Sequence, residues 1–256
     1  MAIDDVDISQ LIVENYFSAL KERLRSDVCL VGAGPANLVA ATLLAQAGRK
    51  VTLFEKKLAP GGGMWGGGMM FSRIVVQPEA KHLLDEFGIG YTRDSRTSLL
   101  VADSVEAAAA LTFHACRAGV AIFNLISAED VLIENERVTG LVINWTPVGL
   151  NKLHVDPIMV RAAAVVDGTG HDALLCELVA RRGLKLATAT GGVVGEGAMA
   201  AETGERLVVE RTGEIFPGLW LLGMAAAAVH GSPRMGPIFG GMMLSGEKLA
   251  NLLKEI

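Results

Sequence analysis

Two histidines and an aspartate stand in short motifs where imidazole and carboxylate groups could act together. The stretch LHVDPIMV (residues 153 to 160) places His154 two residues before Asp156, and the glycine turn GTGHDA places His171 fifteen residues after Asp156. Imidazole and carboxylate suit a divalent first-row metal, and two protein ligands would leave positions open for substrate atoms. The same groups could serve as a proton relay, because histidine titrates near neutral pH. The structural alternative is that Asp156 caps a turn and His171 is satisfied in the core.

A further polar group, Arg234, stands in GSPRMGP, where glycines and prolines constrain the loop. A guanidinium offers a rigid two-point fork to a carboxylate. Arg234 is therefore a candidate for binding an acidic group, although an arginine in a loop can also be a solvated charge. His230 borders this loop, and its role stays open.

The clearest binding motif is a glycine turn between a strand and a helix. In DVCLVGAGPANL, Gly32 permits the tight turn and Gly34 lets a diphosphate approach the backbone at the positive end of the helix. Glu55 ends the next strand, where an acidic residue is expected to meet ribose hydroxyls. The third glycine position holds Asn37, whose side chain either crowds the helix against the strand or leans toward the ligand. The unit predicts a dinucleotide site, with a turn that binds nothing as the alternative.

The order of elements around this turn predicts the fold class. Apolar residues at helical spacing predict an amphipathic helix over residues 8 to 25 that packs on the adjoining domain, and residues 79 to 87 and 104 to 118 also look helical. Alternation over residues 120 to 146 predicts antiparallel strands. We expect an α/β, Rossmann-like FAD/NAD-binding fold: a central parallel sheet with helices and an inserted antiparallel β layer. Residues 1 to 256 would form a single dinucleotide-binding domain.

The glycine-dense segment PGGGMWGGGMM, residues 60 to 70, is too irregular for a regular element and too apolar for a linker. Glycines permit positive φ and close backbone approach, while Met64 and Trp65 could supply apolar walls. We interpret the segment as a wall over the dinucleotide that touches it at Gly63. A glycine-rich hairpin that only packs on the sheet is the alternative.

Composition excludes several classes of partner. The chain of 256 residues has a net charge of -5, which gives no general attraction to nucleic acid or anionic membranes. No run of about 18 uncharged apolar residues predicts a membrane span, and the acidic start MAIDDVDISQ lacks a signal pattern. Cys29, Cys116 and Cys176 are an odd number at wide spacings, which fits reduced thiols. We therefore expect a cytoplasmic protein that binds neither nucleic acid nor membrane.

The C-terminal segment bears on which dinucleotide binds. It resembles the closing segment of two-part flavoproteins, where a strand ends in Gly-Asp and the aspartate holds the ribityl-diphosphate region of the flavin. Here the same position reads Gly223-Met224, so the polar anchor is missing. The sequence predicts a flavoprotein architecture without the flavin, with Met224 lining the nicotinamide or ribose end of the site.

Six motifs together carry a family resemblance that covers nearly the whole chain. They are GAGPANL, PGGGMWGGGMMF, NWTPV, HVDP, GTGHD and GSPRMGPIFGGMMLSG. On these, the chain resembles the thiazole synthase family of thiamine biosynthesis. The resemblance implies that NAD is consumed as a substrate: it loses nicotinamide, and its ribose carbons condense with glycine. Addition of sulfur then gives ADP-thiazole, the adenylated 5-(2-hydroxyethyl)-4-methylthiazole-2-carboxylate.

The resemblance also implies roles for individual residues. Asp156 and His171 match the family's Fe(II) ligands, with the aspartate supplied by a neighbouring subunit, and Arg234 matches the residue that holds the glycine carboxylate. The other NAD contacts carried over are Ala36, Glu55, Lys56 and Ala128. An obligate homo-oligomer is implied, expected to be an octamer with metal and NAD sites shared between subunits.

His154 separates two branches of this family. In the eukaryotic branch, a cysteine at this position surrenders its own sulfur, so each protein molecule turns over once. A histidine has no sulfur to give, and the chain therefore resembles the archaeal-type branch, which uses free sulfide for many turnovers. His154 is instead a candidate proton shuttle for the enolisations and water losses of thiazole formation. Cys176 is the alternative sulfur carrier, against its ordinary role as a packing residue.

Three other functions fit the same architecture less well. A flavin-dependent oxidoreductase would carry an acidic residue after Gly223, which this chain lacks. A ribose 1,5-bisphosphate isomerase would need several basic residues for two phosphates, and only Arg234 and Lys56 are placed to help. A non-enzymatic NAD sensor would have no use for Asp156, His171 and Arg234 together. The sulfide-dependent synthase is the preferred interpretation.

Overall fold

The computed structural model describes residues 3 to 256, in which strands and helices alternate along most of the chain. The strands are β1 (Arg25–Val31), β2 (Val51–Glu55), β3 (Arg73–Val76), β4 (Tyr91–Arg93), β5 (Leu100–Asp103), β6 (Ala121–Asn124), β7 (Ile126–Glu134), β8 (Arg137–Trp145), β9 (Ile158–Asp167), β10 (Gly213–Phe216) and β11 (Leu219–Leu221). The helices are α1 (Asp5–Arg23), α2 (Pro35–Gln46), α3 (Lys81–Glu86), α4 (Ser104–Arg117), α5 (Thr146–Leu150), α6 (Leu174–Arg181), α7 (Ala201–Glu210), α8 (Gly223–His230) and α9 (Gly240–Leu253).

The main sheet is largely parallel and has the order β10-β11-β9-β1-β2-β6. β1 lies between β9 and β2 and runs parallel to both. Its last four residues, Val28 to Val31, are buried, as expected for a strand covered on both faces. The cores on the two faces are built by different residues, with Leu38 and Leu249 on one face and Phe54 and Leu141 on the other.

An antiparallel layer extends this sheet, as the sequence predicts. β8 pairs antiparallel with β7 and with the first half of β9, whose second half pairs with β11. β7 and β8 are joined through Asn135 and Glu136, both at positive φ, which is the conformation of a tight two-residue hairpin. The predicted fold class, a Rossmann-like parallel sheet with helices and an antiparallel insertion, is confirmed.

A second, smaller sheet was not predicted. β3, β5 and β4 form an antiparallel sheet in that order. These strands have three or four residues each, too few to show the alternation that identified β7 and β8. The predicted helices beside them are present as α4 and as α3, which is preceded by a 3-10 turn at Pro78–Ala80.

The N-terminal helix has the predicted position, and its C-terminal part packs on the core as predicted, through Tyr16 and Leu20. The helix expected over residues 8 to 25 spans Asp5–Arg23, where Leu20 is its only buried residue. Leu11 and Ile12 are 59% and 65% exposed, so most of the apolar face is uncovered within the described chain. Such a face is typical of a surface that meets another protein. Among residues 3 to 256, the helices are too short or too polar to cross a membrane.

Glu205 of α7 is a buried carboxylate beside the N-terminus of α9. Its Oε2 accepts a hydrogen bond from the backbone N–H of Gly241, while Oε1 has no partner among the described residues. Burial raises the pKa of Glu205, against the lowering effects of its hydrogen bond from Gly241 and of the neighbouring Gln77 side chain. The ionised side chain therefore carries a desolvation cost at neutral pH.

We expect Glu205→Gln to raise the free energy of unfolding at neutral pH by about 1 kcal/mol, because the amide keeps an acceptor for Gly241 and removes a buried charge. A raised folded-state pKa gives stability that is fully present below the unfolded value of about 4.3 and is lost as pH rises through the folded value. The gain should therefore shrink as the pH falls toward about 4. Urea unfolding at both pH values measures it, with the exposed Glu202→Gln as control. A variant less stable than the parent at neutral pH contradicts this account.

Candidate active site

A cavity of about 850 Å³ opens along the carboxyl ends of the parallel strands. Val31 at the end of β1, Glu55 at the end of β2 and Gly168 just after β9 all line it. Ligands of open α/β sheets bind at this edge, because the loops that follow the strands converge there. The predicted residues that line the cavity are Gly32, Gly34, Ala36, Asn37, Glu55, Lys56, Gly63, Ala128, His171, Met224 and Arg234.

The turn from β1 to α2 has the geometry of a diphosphate-binding loop. Gly32 has φ of +90°, and a Cβ there would lie 2.5 Å from the carbonyl oxygen of Gly168, so only glycine fits. A Cβ at Gly34 would meet no atom within 4 Å, which leaves an approach to the start of α2. Partial positive charge at a helix N-terminus favours an anion in that space.

Glu55 braces this turn from the end of β2. Its Oε2 accepts from the backbone N–H of Ala33 at 2.6 Å, and its Oε1 accepts from that of Lys57 at 2.8 Å. Each oxygen of a carboxylate can accept a second hydrogen bond. Glu55 can therefore hold the turn and still accept from a hydroxyl group in the cavity.

Asn37 packs between structural elements and also lines the cavity. Its Nδ2 donates to the carbonyl of Val31 at 2.9 Å and also to that of Gly32. The side chain lies so close to Gly168 that a Cβ on that glycine would clash with it. Asn37 thus ties the start of α2 to the ends of β1 and β9, and the extra side chain serves the joint between helix and sheet.

The glycine-dense segment lines the cavity with Gly62, Gly63 and Gly67 and with Met69, but not with Met64 or Trp65. Gly62 and Gly63 face the cavity, and the N–H of Gly61 donates to the carbonyl of Ala33 at 2.7 Å. Met64 is buried in the core, and Trp65 donates its indole N–H to Pro60. The interpretation of Met64 and Trp65 as cavity walls is wrong, because the 3-10 turn at Gly62–Gly66 directs both side chains elsewhere.

Asp167, the last residue of β9, organises the turn that carries His171. Its carboxylate accepts from the backbone N–H and hydroxyl of Thr169 and from the N–H groups of Leu175 and Cys176 at the start of α6. These bonds fix the 3-10 turn Gly170–Asp172, so His171 reaches the cavity from an ordered loop. Sequence reasoning missed this role, although an aspartate between a strand and a helix start is a recognisable cap.

A polar cluster forms where His171 and Arg234 approach the same carboxylate, Glu196. Nδ1 of His171 lies 2.5 Å from Oε1 of Glu196, and Nε of Arg234 lies 3.1 Å from its Oε2. The Glu196 side chain is 13% exposed. Glu196 was not predicted, because its surroundings, GGVVGEGAM, carry no motif that distinguishes it from a loop glutamate.

A second ion pair stands at the rim of the cavity. Nζ of Lys56 lies 3.1 Å from Oδ2 of Asp172, and both side chains are more than half exposed. An exposed pair contributes at most about 1 kcal/mol and opens easily. Lys56 is therefore free to turn toward an anionic ligand.

His154 and Asp156 lie outside the cavity of the described chain. Both are exposed in the segment between α5 and β9. Asn144 of β8 donates to the carbonyl of Val155 at 3.2 Å, and Asn144 pairs in turn with Ser127 at the cavity. Among residues 3 to 256, no three His, Cys, Asp or Glu side chains form a group that could hold a metal ion. Asp156 thus does not line the cavity that His171 lines in the same chain.

The cysteines do not present reactive thiols to the cavity. Cys29 and Cys176 are buried. Burial raises the pKa of the Cys29 thiol to about 12, and burial together with the nearby Asp167 raises the pKa of the Cys176 thiol well above its usual range. Cys116 is exposed on α4, and His230 ends α8, where burial and the nearby Arg211 lower its pKa. Neither lines the cavity of the described chain.

The fold and the cavity together define the class of FAD/NAD-binding, Rossmann-like proteins. The structure of L-proline dehydrogenase from P. horikoshii shares this fold, with a TM-score of 0.56 over 90% of this chain and 94% of its own, at 13% identity. At that identity the likeness concerns the fold alone.

Within that class, the chain belongs to the Thi4 family, whose model matches residues 9–239. It is 53% identical to the thiamine thiazole synthase of Methanococcoides burtonii over 100% of this chain and 99% of that protein. It is also 53% identical to the thiamine thiazole synthase of Pyrococcus furiosus, covering 97% and 96%. The crystal structure of Thermovibrio ammonificans THI4 matches with a TM-score of 0.94 and 45% identity over 99% of this chain and 98% of that one. The predicted family is confirmed, and the chain is an enzyme.

Proposed function

We propose that this enzyme is a thiamine thiazole synthase that makes ADP-thiazole from NAD, glycine and sulfide with Fe(II), over many turnovers. The observation that carries the proposal is one cavity in which the dinucleotide turn, His171 and Arg234 face a common space. Its relatives at 53% identity over the full chain are thiamine thiazole synthases, which supports the reaction class.

NAD would lie along the strand edge. A cavity of about 850 Å³ falls in the range of about 300–1,000 Å³ that ligand sites occupy. The diphosphate would take the start of α2 beside Gly34, and Glu55 would accept from ribose hydroxyls. Met224 would line the nicotinamide or ribose end, where an apolar side chain gives a flavin no anchor.

Glycine would bind through Arg234. Glu196 engages Nε of the guanidinium, which leaves its two terminal nitrogens for the glycine carboxylate. His171 is held by the same glutamate, so an amino acid on Arg234 would lie beside the imidazole. This would bring the glycine nitrogen toward the place where the ribose carbons of NAD end.

Iron fits this site if a second subunit completes it. Nδ1 of His171 faces Glu196, so Nε2 is the nitrogen left for a metal, and His171 alone is too few ligands. Asp156 of a neighbouring subunit would add a carboxylate. When bound, Fe(II) supplies a Lewis acid with affinity for sulfide. His154, two residues from Asp156, would arrive with it and move protons.

The homo-oligomer that this requires, proposed as an octamer, agrees with two exposed apolar surfaces. One is the outer face of α1, which includes Leu11 and Ile12. The other flanks His154 and Asp156 and consists of Leu150, Leu153, Val155 and Met159. Apolar surface beside a predicted ligand would be covered where subunits meet.

Sulfur would come from outside the protein. We expect Cys176→Ala to keep multiple turnover with sulfide within about twofold of the parent, because a buried thiol with a raised pKa is a poor nucleophile. Counting thiazole molecules formed per protein molecule measures this. Loss of turnover in a variant that keeps the parent's stability would make Cys176 a sulfur carrier.

The proposed function is tested by one anaerobic incubation of the enzyme with NAD, glycine, sulfide and Fe(II), followed by mass analysis of small molecules. An adenylated thiazole in excess over protein supports the proposal. At most one equivalent, with a cysteine converted to dehydroalanine, supports self-sacrifice instead. Accumulation of NADH alone supports an oxidoreductase.

A further inference from the structure

We propose that Glu196 is a positioning residue that orients His171 and Arg234 with a single carboxylate and so sets the distance between the metal and the amino acid substrate. The inference rests on the proposed function, since it concerns how His171 and Arg234 are held at fixed positions in the same site. The feature behind it is the bridge itself, with one oxygen of Glu196 on each partner.

The first half of the bridge acts on His171. Nδ1 lies 2.5 Å from Oε1 of Glu196, so a neutral imidazole would carry its proton on Nδ1 and its lone pair on Nε2. A metal-binding histidine commonly donates its second ring N–H to a carboxylate, which fixes the ring and strengthens it as a ligand. Glu196 therefore selects the tautomer that can bind metal.

The second half of the bridge acts on Arg234. A guanidinium has a side edge that includes Nε and an outer edge formed by its terminal nitrogens. Glu196 takes the side edge through Nε at 3.1 Å. The outer edge is left for a substrate carboxylate, and its plane is fixed by the glutamate.

The backbone on both sides of Glu196 is held by hydrogen bonds, which fix the position of the residue between them. The N–H groups of Val194 and Gly195 donate to carbonyls near the end of α8, and that of Gly197 donates to Ser232. The residues on both sides of Glu196 are thus tied to the segment that leads to Arg234. The Glu196 carboxylate is almost buried, whereas the side chains of His171 and Arg234 are about half exposed, so solvent screens the two contacts in part.

This bridge needs both oxygens to accept, which gives a sharp test. In Glu196→Gln, the amide has one acceptor and one donor end, so it can satisfy His171 or Arg234 but not both. Glu196→Asp keeps the charge but is one methylene shorter, so it cannot span the two partners. Glu247→Gln is the matched control, since Glu247 contacts His82 at 2.9 Å on the surface.

Three measurements, two on the full-length apoprotein and one on the active enzyme, test the bridge. Side-chain ¹⁵N NMR of labelled histidine, at a pH where the ring is neutral, reports the tautomer of His171, with His171→Gln for assignment. Anaerobic titration with Co(II), a spectroscopic probe for the iron site, gives metal affinity, and turnover gives KM for glycine. We expect Glu196→Gln to mix the tautomers and to lower Co(II) affinity by about 10- to 100-fold. KM for glycine should rise in both Glu196 variants, while Glu247→Gln matches the parent.

Unchanged metal affinity and unchanged glycine KM in both Glu196 variants would overturn the proposal. So would a parent protein in which His171 carries its proton on Nε2. If the parent itself binds no Co(II) and makes no thiazole, the proposed function falls together with this inference. If the parent is active and Glu196→Gln has the same metal affinity and glycine KM as the parent, the role of Glu196 is refuted and the proposed function stands.

Discussion

Thiazole formation should fall by more than about 100-fold in His171→Ala, together with the capacity of the enzyme to retain Fe(II). Removal of a group that only supports a metal ligand already costs about 10- to 100-fold, and removal of the ligand should cost more. His171 is the imidazole at the cavity, on a turn fixed by Asp167, and no other histidine lines the cavity in residues 3 to 256. Product per protein molecule and iron per subunit after gel filtration measure the two losses.

The loss should be specific to the site. NAD affinity should change little, because the start of α2 and Glu55 lie at the other end of the proposed binding mode. His82→Ala is the matched control, since His82 is exposed and paired with Glu247 away from the cavity. A His171→Ala enzyme that keeps its iron and its turnover would remove His171 from the metal site and leave the proposed iron without its protein nitrogen.

The parts of the fold that the sequence could predict are those encoded by neighbouring residues. One continuous segment predicts β1, the loop and α2, from the run VCLV, the glycine turn and the alanine-rich helix. β3, β4 and β5 escaped prediction because short strands are defined by their partners: β3 pairs with β5 across more than twenty residues. The uncovered face of α1 shows the same limit, since a periodic pattern indicates a helix but not which surface will cover it.

The residues of the candidate site also differ in whether neighbouring sequence identifies them. His171, Arg234, Glu55 and Met224 stand in motifs, and the structure places all of them at one cavity. Glu196 has no motif, and its role depends on contact with His171, 25 residues away along the chain. Motifs identify the groups that would touch substrates, whereas the group that spaces them is visible only after folding.

Mixing two inactive variants should restore activity if Asp156 acts in a neighbour's site. Asp156→Ala and His171→Ala should each lose turnover when expressed alone. In a co-expressed oligomer with equal amounts of both, a site that takes His171 from one subunit and Asp156 from the next is intact in about a quarter of cases. We therefore expect about a quarter of the parent's turnover per site, measured as thiazole formed by the purified mixed oligomer.

Asp156 lies outside the cavity of its own chain, so it could reach the metal site either from a neighbouring subunit or after a movement within its own chain. The mixed oligomer separates these two arrangements. If Asp156 served its own chain after a movement of the exposed segment, every mixed subunit would lack one ligand and no activity would return. Mixing the purified variants without co-expression is the control, since stable oligomers that do not exchange subunits should remain inactive. A mixed oligomer as inactive as the two single variants would refute the shared site. The roles of His171 and Arg234 within one chain would still be tested by their own variants.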